Sequence, residues 1–242
     1  MKQRSLKRIG ASLGVLVLAA ATTACAATPG VAASGQSPAQ AQAEVPANQW
    51  VSYGQNPGST NYSPLDQINA SNVATLKRAW TFNYGGGTDE NGDRGLDYRW
   101  EVTPLLIDGV MYVSTPTNPR IPELKSTITA LEPETGRVLW KWESPRNIHG
   151  RGLAYWPGDG TVGARLIVGT NGGYLTAVDI ATGTQVAGFG VNGEVDAYAD
   201  VASETVGESR RATWTVPNPV AVYQNLLITG WRPGQARPPG PR

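Results

Sequence analysis

The sequence has little cysteine, histidine and charge. Cys25 and His149 are the only residues of their kinds, so a disulfide framework and a thiolate metal site are excluded. Charged residues make up 16% of the chain and the formal net charge is +1, which excludes the basic surface of a nucleic-acid-binding protein. The hydrophobic pattern gives no convincing amphipathic helix. What the chain has instead is 29 Gly, 18 Pro and 8 Trp, a composition typical of many short strands joined by tight turns.

The first residues form a basic and then an apolar segment. Lysine and arginine are the only charged residues before Glu44, and Ile9–Ala21 contains Ser12 as its single polar residue. Such an apolar run is shorter than a transmembrane helix. The pattern predicts a signal peptide over residues 1–25 and export to the periplasm or cell envelope. A membrane anchor that is never cleaved is the alternative.

Cys25 directly follows the apolar run and is preceded by Ala24. A cysteine in this place indicates either a lipoprotein, anchored by an acyl chain, or plain cleavage at a small-residue site. Residues 26–48 contain almost no large apolar side chain, so they cannot bury enough surface to offset the entropy of ordering. They are predicted to be a flexible linker, which leaves residues 49–242 for folded structure.

Pairs of short apolar runs, separated by turn residues, recur along the second half of the chain. The strongest turn is Asp108-Gly109, a two-residue hairpin signal. The predicted strands are Val102–Ile107, Val110–Ser114, Thr127–Leu131, Val138–Trp142, Leu166–Thr170, Tyr174–Asp179, Val220–Tyr223 and Leu226–Gly230. These runs predict antiparallel hairpins.

Two of the segments resemble each other. Ala130–Gly136 matches Ala177–Gly183 at a spacing of 47 residues, and both end in Thr-Gly. A hairpin repeat of about 40–50 residues predicts a β-propeller with one four-stranded blade per repeat. The Thr-Gly turn is expected to be followed by the outer strand, ending at Trp140 or Phe189. A β-sandwich is the alternative. Residues 49–242 then make about three to four blades, and the strandless tail Pro233–Arg242 suggests a truncated ring.

Longer motifs resemble one known family. They are Tyr53-Gly54, Asn61–Asn69, Leu76–Trp80, Glu101–Gly109 and Arg151–Gly160. Together they are similar to the quinoprotein dehydrogenases, which use pyrroloquinoline quinone (PQQ), and the Thr-Gly repeat resembles that family's propeller repeat. The resemblance implies an all-β fold: an incomplete β-propeller of PQQ-type repeats, with three to four blades of a larger ring expected to have eight.

The resemblance also implies which groups face the cofactor. Glu101 matches an acidic residue that meets the polar edge of the quinone, and Arg151 matches an arginine that holds a cofactor oxygen or carboxylate. PQQ has three carboxylates, and a guanidinium can bind one of them bidentately. The alternative is that Glu101 and Arg151 pair with each other or with neighbouring turns, as buried charges usually must.

Further cofactor contacts are implied near the end of the chain. Thr215, or Thr213 if the loop is shifted, matches a hydroxyl donor, and alternation with Trp214 on a strand predicts that at most one of them points inward. The loop that contains Arg232 and Gly234 matches one whose backbone amides bind another carboxylate. Its calcium-binding glutamate aligns near Gln235, a neutral replacement that weakens a site for a hard cation.

A second departure from the family pattern precedes Arg151. Alcohol-oxidising members have adjacent cysteines here, which form a disulfide over the quinone, whereas this chain has Asn147–Gly150. That disulfide cannot form, which argues against a methanol-type activity and leaves sugar or general alcohol oxidation. His149 lies either over the cofactor or in a solvated loop.

The resemblance implies an envelope dehydrogenase that oxidises alcohols or sugars by hydride transfer to PQQ, with calcium as Lewis acid and cytochrome c or a membrane quinone as electron acceptor. The aspartate base and most metal ligands of the family lie in later blades, so no catalytic residue is expected in this chain. The alternatives are a non-enzymatic propeller that acts as an envelope scaffold, and a carbohydrate-binding module.

We expect the mature protein from its native host to lack residues 1 to about 25, because they have the pattern of a secretion signal. Intact-mass and peptide mass spectrometry measure this directly. An acyl chain on Cys25 would identify a lipoprotein, and a free new amino terminus would identify plain cleavage. Recovery of the intact Met1–Ala24 sequence would contradict export.

Overall fold

The computed structural model describes residues 14–16, 45–56, 58–85, 100–117, 121, 123–201, 211, 213–217 and 219–231. Within these ranges the chain is built mainly from short strands. Strand β1 spans Gly14–Leu16, and a 3₁₀ turn spans Val73–Thr75. The predicted all-β class is confirmed. None of the helices in the described ranges is long and apolar enough to cross a membrane.

The first four-stranded sheet, blade 1, contains β2 (Leu105–Ile107), β3 (Val110–Thr115), β4 (Thr127–Leu131) and β5 (Val138–Glu143). Each strand pairs antiparallel with the next one along the chain, so spatial order follows sequence order. The turn between β2 and β3 has positive φ at both of its central residues, 48° and 78°. Such φ values favour the predicted Asp-Gly pair.

The second sheet, blade 2, repeats this order with β6 (Ala154–Trp156), β7 (Arg165–Thr170), β8 (Tyr174–Asp179) and β9 (Glu194–Asp196). All three neighbouring pairs are antiparallel. Blades 1 and 2 therefore have the same topology, as their sequence similarity predicts.

The outer edge of blade 2 differs from the prediction. An outer strand ending at Phe189 was expected, but the residues after the Thr-Gly turn join the sheet through one bridge, between Val178 and Gln185. The next residues form a turn, in which the Phe189 N–H donates to the Val186 carbonyl (2.9 Å). The chain leaves the edge of the sheet at this turn. The edge resumes only at β9, so the prediction of a continuous outer strand is wrong.

The third sheet contains the hairpin β10 (Ala221–Tyr223) and β11 (Leu226–Ile228), with β1 parallel to β11. The predicted hairpin is confirmed. A five-residue helix, α1 (Ala197–Val201), follows β9 directly. The sequence pattern does not predict α1, because one turn and a half is too short to show a helical period.

The core lies between the faces of neighbouring sheets. Leu105 of β2 and Ile128 of β4 pack with Leu166 of β7, so one buried cluster joins blades 1 and 2. Ile167 and Leu227 belong to a second cluster, which joins blade 2 to the third sheet. Successive side chains of a strand point to opposite faces, so β7 is buried on both sides. This is why β7 is a continuous apolar run and not an alternating one.

A tryptophan links blade 1 to blade 2. The indole N–H of Trp140, on β5, donates to the Ile180 carbonyl (3.2 Å) in the turn after β8. Gly183 of the same turn has a φ of +69°, and a Cβ there would lie 2.5 Å from Cδ2 of Trp140. The ring therefore lies against backbone that only glycine provides without a clash.

The same contact occurs one blade earlier. Trp80 donates its indole N–H to the Pro133 carbonyl (2.9 Å). A Cβ on Gly136, whose φ is +71°, would lie 2.6 Å from Cε3 of Trp80. In both cases the acceptor carbonyl belongs to the residue three positions before the glycine. Trp80 therefore occupies, relative to blade 1, the position that Trp140 occupies relative to blade 2.

We expect Gly183→Ala to destabilise the protein more than Gly109→Ala. Both positions have positive φ, which costs an alanine about 1–2 kcal/mol. Only the Gly183 methyl meets an indole, since a Cβ at Gly109 has nothing within 4 Å. Overpacking should add about 1–3 kcal/mol at Gly183. Denaturant unfolding of the two variants measures the difference, and equal losses would show that the indole contact does not hold the blades together.

Candidate functional site

Three chain segments meet beside the first strands of the sheets. Thr103, Gly152 and Pro219 each stand two residues before a strand, β2, β6 and β10 respectively, and each of these strands opens a run of antiparallel pairs. A Cβ on Gly152 would lie 3.6 Å from the Thr103 carbonyl oxygen and 3.8 Å from Cγ of Pro219. The segments that lead into the three first strands therefore converge on one region, as the inner ends of propeller blades do.

Glu101 and Arg151 lie on these converging segments. The Glu101 N–H donates to the Gly150 carbonyl (2.7 Å), which ties the segment before β2 to the segment before β6. The side chains form an ion pair, with 3.1 Å between Nε of Arg151 and Oε2 of Glu101. The structure thus brings together the two charged residues that the sequence analysis selected, although they are 50 positions apart.

The Glu101–Arg151 pair is open to solvent. The side chains are 43% and 45% exposed, respectively. Mutual pairing was the alternative to a cofactor role, and the structure shows that pairing. An ion pair exposed to this degree contributes only about 0–1 kcal/mol to stability. The pair lies at the convergence of the blades, with nearly half of each side chain accessible.

The two candidate hydroxyl donors lie on the segment before β10. Thr215 forms a bridge with Asn171, and the Trp214 carbonyl accepts the Gly172 N–H (2.8 Å). The expected strand is reduced to this bridge, because a helical turn precedes it. Thr213 is exposed and Thr215 half-buried, whereas Trp214 is buried. Thr215 is thus the less exposed of the two candidate donors.

Trp214 packs in an aromatic group with Tyr198 and Trp231. Its ring meets Tyr198 edge-on at 4.9 Å between centroids and stacks on Trp231 at 5.5 Å. This group holds the segment that contains Thr215 against α1. Of the other predicted site residues, Arg232, Gly234 and the metal candidate Gln235 lie outside the described residues.

His149 lies in the turn that contains Arg151. Its carbonyl accepts the Arg151 N–H (2.9 Å), and the residue is partly buried. A fully solvated loop position is therefore excluded. Among the described residues, no group of three or more His, Cys, Asp or Glu could hold a metal ion. Any cation beside Glu101 would need further ligands from elsewhere in the protein.

A second charged cluster, which the sequence analysis missed, lies on blade 2. Nη1 of Arg146 donates to both carboxylate oxygens of Glu194, at 2.6 and 2.7 Å. The Arg146 guanidinium also lies 3.9 Å from the ring centre of Tyr174, and that of Arg211, which pairs with Asp196, lies 4.7 Å from it. No sequence pattern indicates this cluster, because Arg146 and Glu194 meet only through the packing of the loop on the sheet.

The sheets and their convergence define a class of protein. Four-stranded antiparallel sheets, consecutive in sequence and packed face to face with their first strands towards one region, are β-propeller blades. The glucose/ethanol/alcohol dehydrogenase β-propeller domain, a PQQ domain, matches residues 50–240. The chain belongs to this family of PQQ propellers, which confirms the resemblance found in its motifs.

The relatives are several times longer than this chain. The dehydrogenase subunit of alcohol dehydrogenase (quinone) from Gluconacetobacter polyoxogenes is 37% identical over 198 residues, which cover 76% of this chain and 23% of that protein. Methanol dehydrogenase [cytochrome c] subunit 1 from Methylobacterium organophilum is 36% identical over 149 residues, 57% of this chain and 21% of that protein.

This chain also resembles a solved structure of the family over part of that protein's length. Quinohemoprotein alcohol dehydrogenase from Comamonas testosteroni superposes with a TM-score of 0.55 at 27% identity, covering 76% of this chain and 23% of that one. The chain thus spans about a quarter of the length of the proteins it matches. This partial coverage agrees with the prediction of an incomplete propeller.

We expect Arg151→Gln and Glu101→Gln to change the free energy of unfolding by less than about 1 kcal/mol each, because the pair is exposed. Glu194→Gln should cost about 1–3 kcal/mol, since it removes the charged partner of a largely buried arginine contact. Urea unfolding compares the three variants. A larger loss for Arg151→Gln than for Glu194→Gln would assign the Glu101–Arg151 pair a structural role.

Proposed function

We propose that this chain is the amino-terminal part of an exported PQQ-dependent dehydrogenase that oxidises alcohols or sugars. The observation that supports this most is the exposed Glu101–Arg151 ion pair where the lead-in segments of three sheets converge. A scaffold propeller has no need for an acid and an arginine at that place. Membership of the PQQ propeller family supports the same assignment.

The groups present fit PQQ chemically. The cofactor has three carboxylates and a quinone, so its site must supply a cation and several hydrogen-bond donors. Arg151 supplies a guanidinium and the half-buried Thr215 supplies a hydroxyl. Arg151 contacts Glu101 through Nε, so the carboxylate restricts rotation of the guanidinium plane.

In this proposal each residue has a distinct part. Arg151 binds a cofactor carboxylate or quinone oxygen, and Thr215, or Thr213 beside it, donates a hydrogen bond. Glu101 orients the guanidinium and presents its second oxygen to the polar edge of the cofactor. PQQ, when bound, accepts a hydride from the substrate carbon that bears the hydroxyl group. The base that takes the hydroxyl proton belongs to the rest of the protein, so this chain contributes binding and orientation.

We also propose a calcium ion beside the cofactor. A hard cation takes six to eight oxygen ligands, so most must come from other parts of the protein. Gln235 is the proposed ligand from this chain. Its neutral amide would bind calcium more weakly than a carboxylate.

The names of the relatives support a choice of electron acceptor, and the predicted signal peptide supports a location. The names alcohol dehydrogenase (quinone) and methanol dehydrogenase [cytochrome c] support a membrane quinone or cytochrome c as acceptor. The basic and apolar residues before Cys25 support a periplasmic or envelope location. A lipid anchor on Cys25 would keep the enzyme close to a membrane acceptor.

The full-length protein that contains this chain should reduce a redox dye with ethanol, polyols or glucose after loading with PQQ and calcium. Arg151→Gln should raise the PQQ dissociation constant about 10–100-fold, because one charge-assisted contact to a carboxylate is lost. Titration of cofactor absorbance and dye reduction measure binding and turnover.

Arg137→Gln is the matched control. Arg137 pairs with Glu132 on the surface (2.8 Å), in the turn at the opposite end of blade 1 from Glu101. It should leave PQQ affinity unchanged. A full-length protein that binds no PQQ would overturn the proposal and favour the scaffold. PQQ binding without turnover on any of these substrates would reject only the substrate class.

A further inference from the structure

The segment that positions Arg151 crosses from blade 1 to blade 2. It runs over residues 144–152, from the end of β5 to the start of β6. On the blade 1 side, the Ser144 N–H donates to the Ser126 carbonyl (2.8 Å) and the Ile148 N–H to the Ser126 hydroxyl (3.0 Å). Ile148 is also buried in the core between the blades. These contacts fix the segment to the beginning of β4.

On the blade 2 side, a backbone hydrogen bond and the side chain of Arg146 hold the 144–152 segment. The Asn147 carbonyl accepts the Asn171 N–H (2.9 Å) in the turn between β7 and β8. Arg146 reaches further, to the outer edge of the blade, where Glu194 is the first residue of β9. The Tyr174 ring lies beneath its guanidinium, 3.9 Å from the ring centre. Arg146 thus attaches the loop to the far side of the sheet.

The two arginines of this loop lie in different environments. Arg146 and Glu194 are 33% and 17% exposed, compared with nearly half exposure of Arg151 and Glu101. Less solvent screens the Arg146–Glu194 pair, so this contact is the stronger of the two. Glu194 also neutralises Arg146. The charged groups at the convergence of the blades are therefore Arg151 and its partner Glu101, and Arg146 determines where the loop of Arg151 lies.

We infer that Arg146 is a positioning residue: through Glu194 and Tyr174 it holds the 144–152 loop so that Arg151 meets a cofactor carboxylate. This inference rests on the proposed PQQ function. It assigns no cofactor contact to Arg146 itself. A purely stabilising role would instead affect the folding of the protein without a specific effect on what Arg151 binds.

The test is a double-mutant cycle in the full-length protein, with the PQQ dissociation constant as readout at a temperature well below every unfolding midpoint. Arg146→Met should weaken PQQ binding about tenfold in the presence of Arg151 and less than about twofold in an Arg151→Gln background. Arg146→Lys keeps the charge but not the guanidinium plane, so partial rescue is expected. The salt dependence of binding should fall with Arg146→Met, because the displaced Arg151 then loses its contact with the cofactor carboxylate.

Two further variants keep the inference falsifiable. Glu194→Gln should reproduce the coupling to Arg151 if Arg146→Met fails to fold, and Arg137→Met is the control for losing an arginine elsewhere. Unchanged affinity in both Arg146→Met and Glu194→Gln, or equal losses with and without Arg151, would overturn the positioning role. Absence of PQQ binding by the unmutated protein would instead overturn the proposed function, and the positioning role with it.

Discussion

The contact between a tryptophan of one blade and a glycine of the next is the interaction on which the rest of the structure depends. The Trp140 ring lies on the turn that contains Gly183, and the Trp80 ring lies on the turn that contains Gly136. Each indole also donates a hydrogen bond to a carbonyl of that turn. Because each indole ring packs directly on the backbone of the glycine turn, the contact sets the distance and the orientation between the elements that it joins. Any side chain on the glycine would force the ring, and with it the blade, away.

This spacing determines both the core and the site. With the sheets held face to face, β7 can be buried on both sides, because Leu166 and Ile167 fill different interfaces. The same spacing brings together the segments that lead into β2, β6 and β10, so that Thr103 and Pro219 both approach Gly152. Together with the hydrogen bond from the Glu101 N–H to the Gly150 carbonyl, this convergence makes Glu101 and Arg151 neighbours.

The two ion pairs of the site differ in how far solvent reaches them. Arg146 and Glu194 are partly buried and hold the loop on blade 2. Arg151 and Glu101 are much more exposed, which makes them poor sources of stability but suitable for binding. Oxygen-rich anions are bound best by a guanidinium whose plane is already fixed, because less rotational freedom is lost on binding.

The sequence by itself determined the local features. Asp108-Gly109 predicted its hairpin because turn residues set φ within two positions, and the predicted bounds of Thr127–Leu131 agree with β4. The family motifs singled out Glu101 and Arg151. Only the tertiary structure decided that these two meet, that Arg146 reaches Glu194, and that the blade 2 edge breaks at Phe189. Alternation and turn chemistry act over a few residues, whereas contacts between residues about 50 positions apart depend on how the sheets pack.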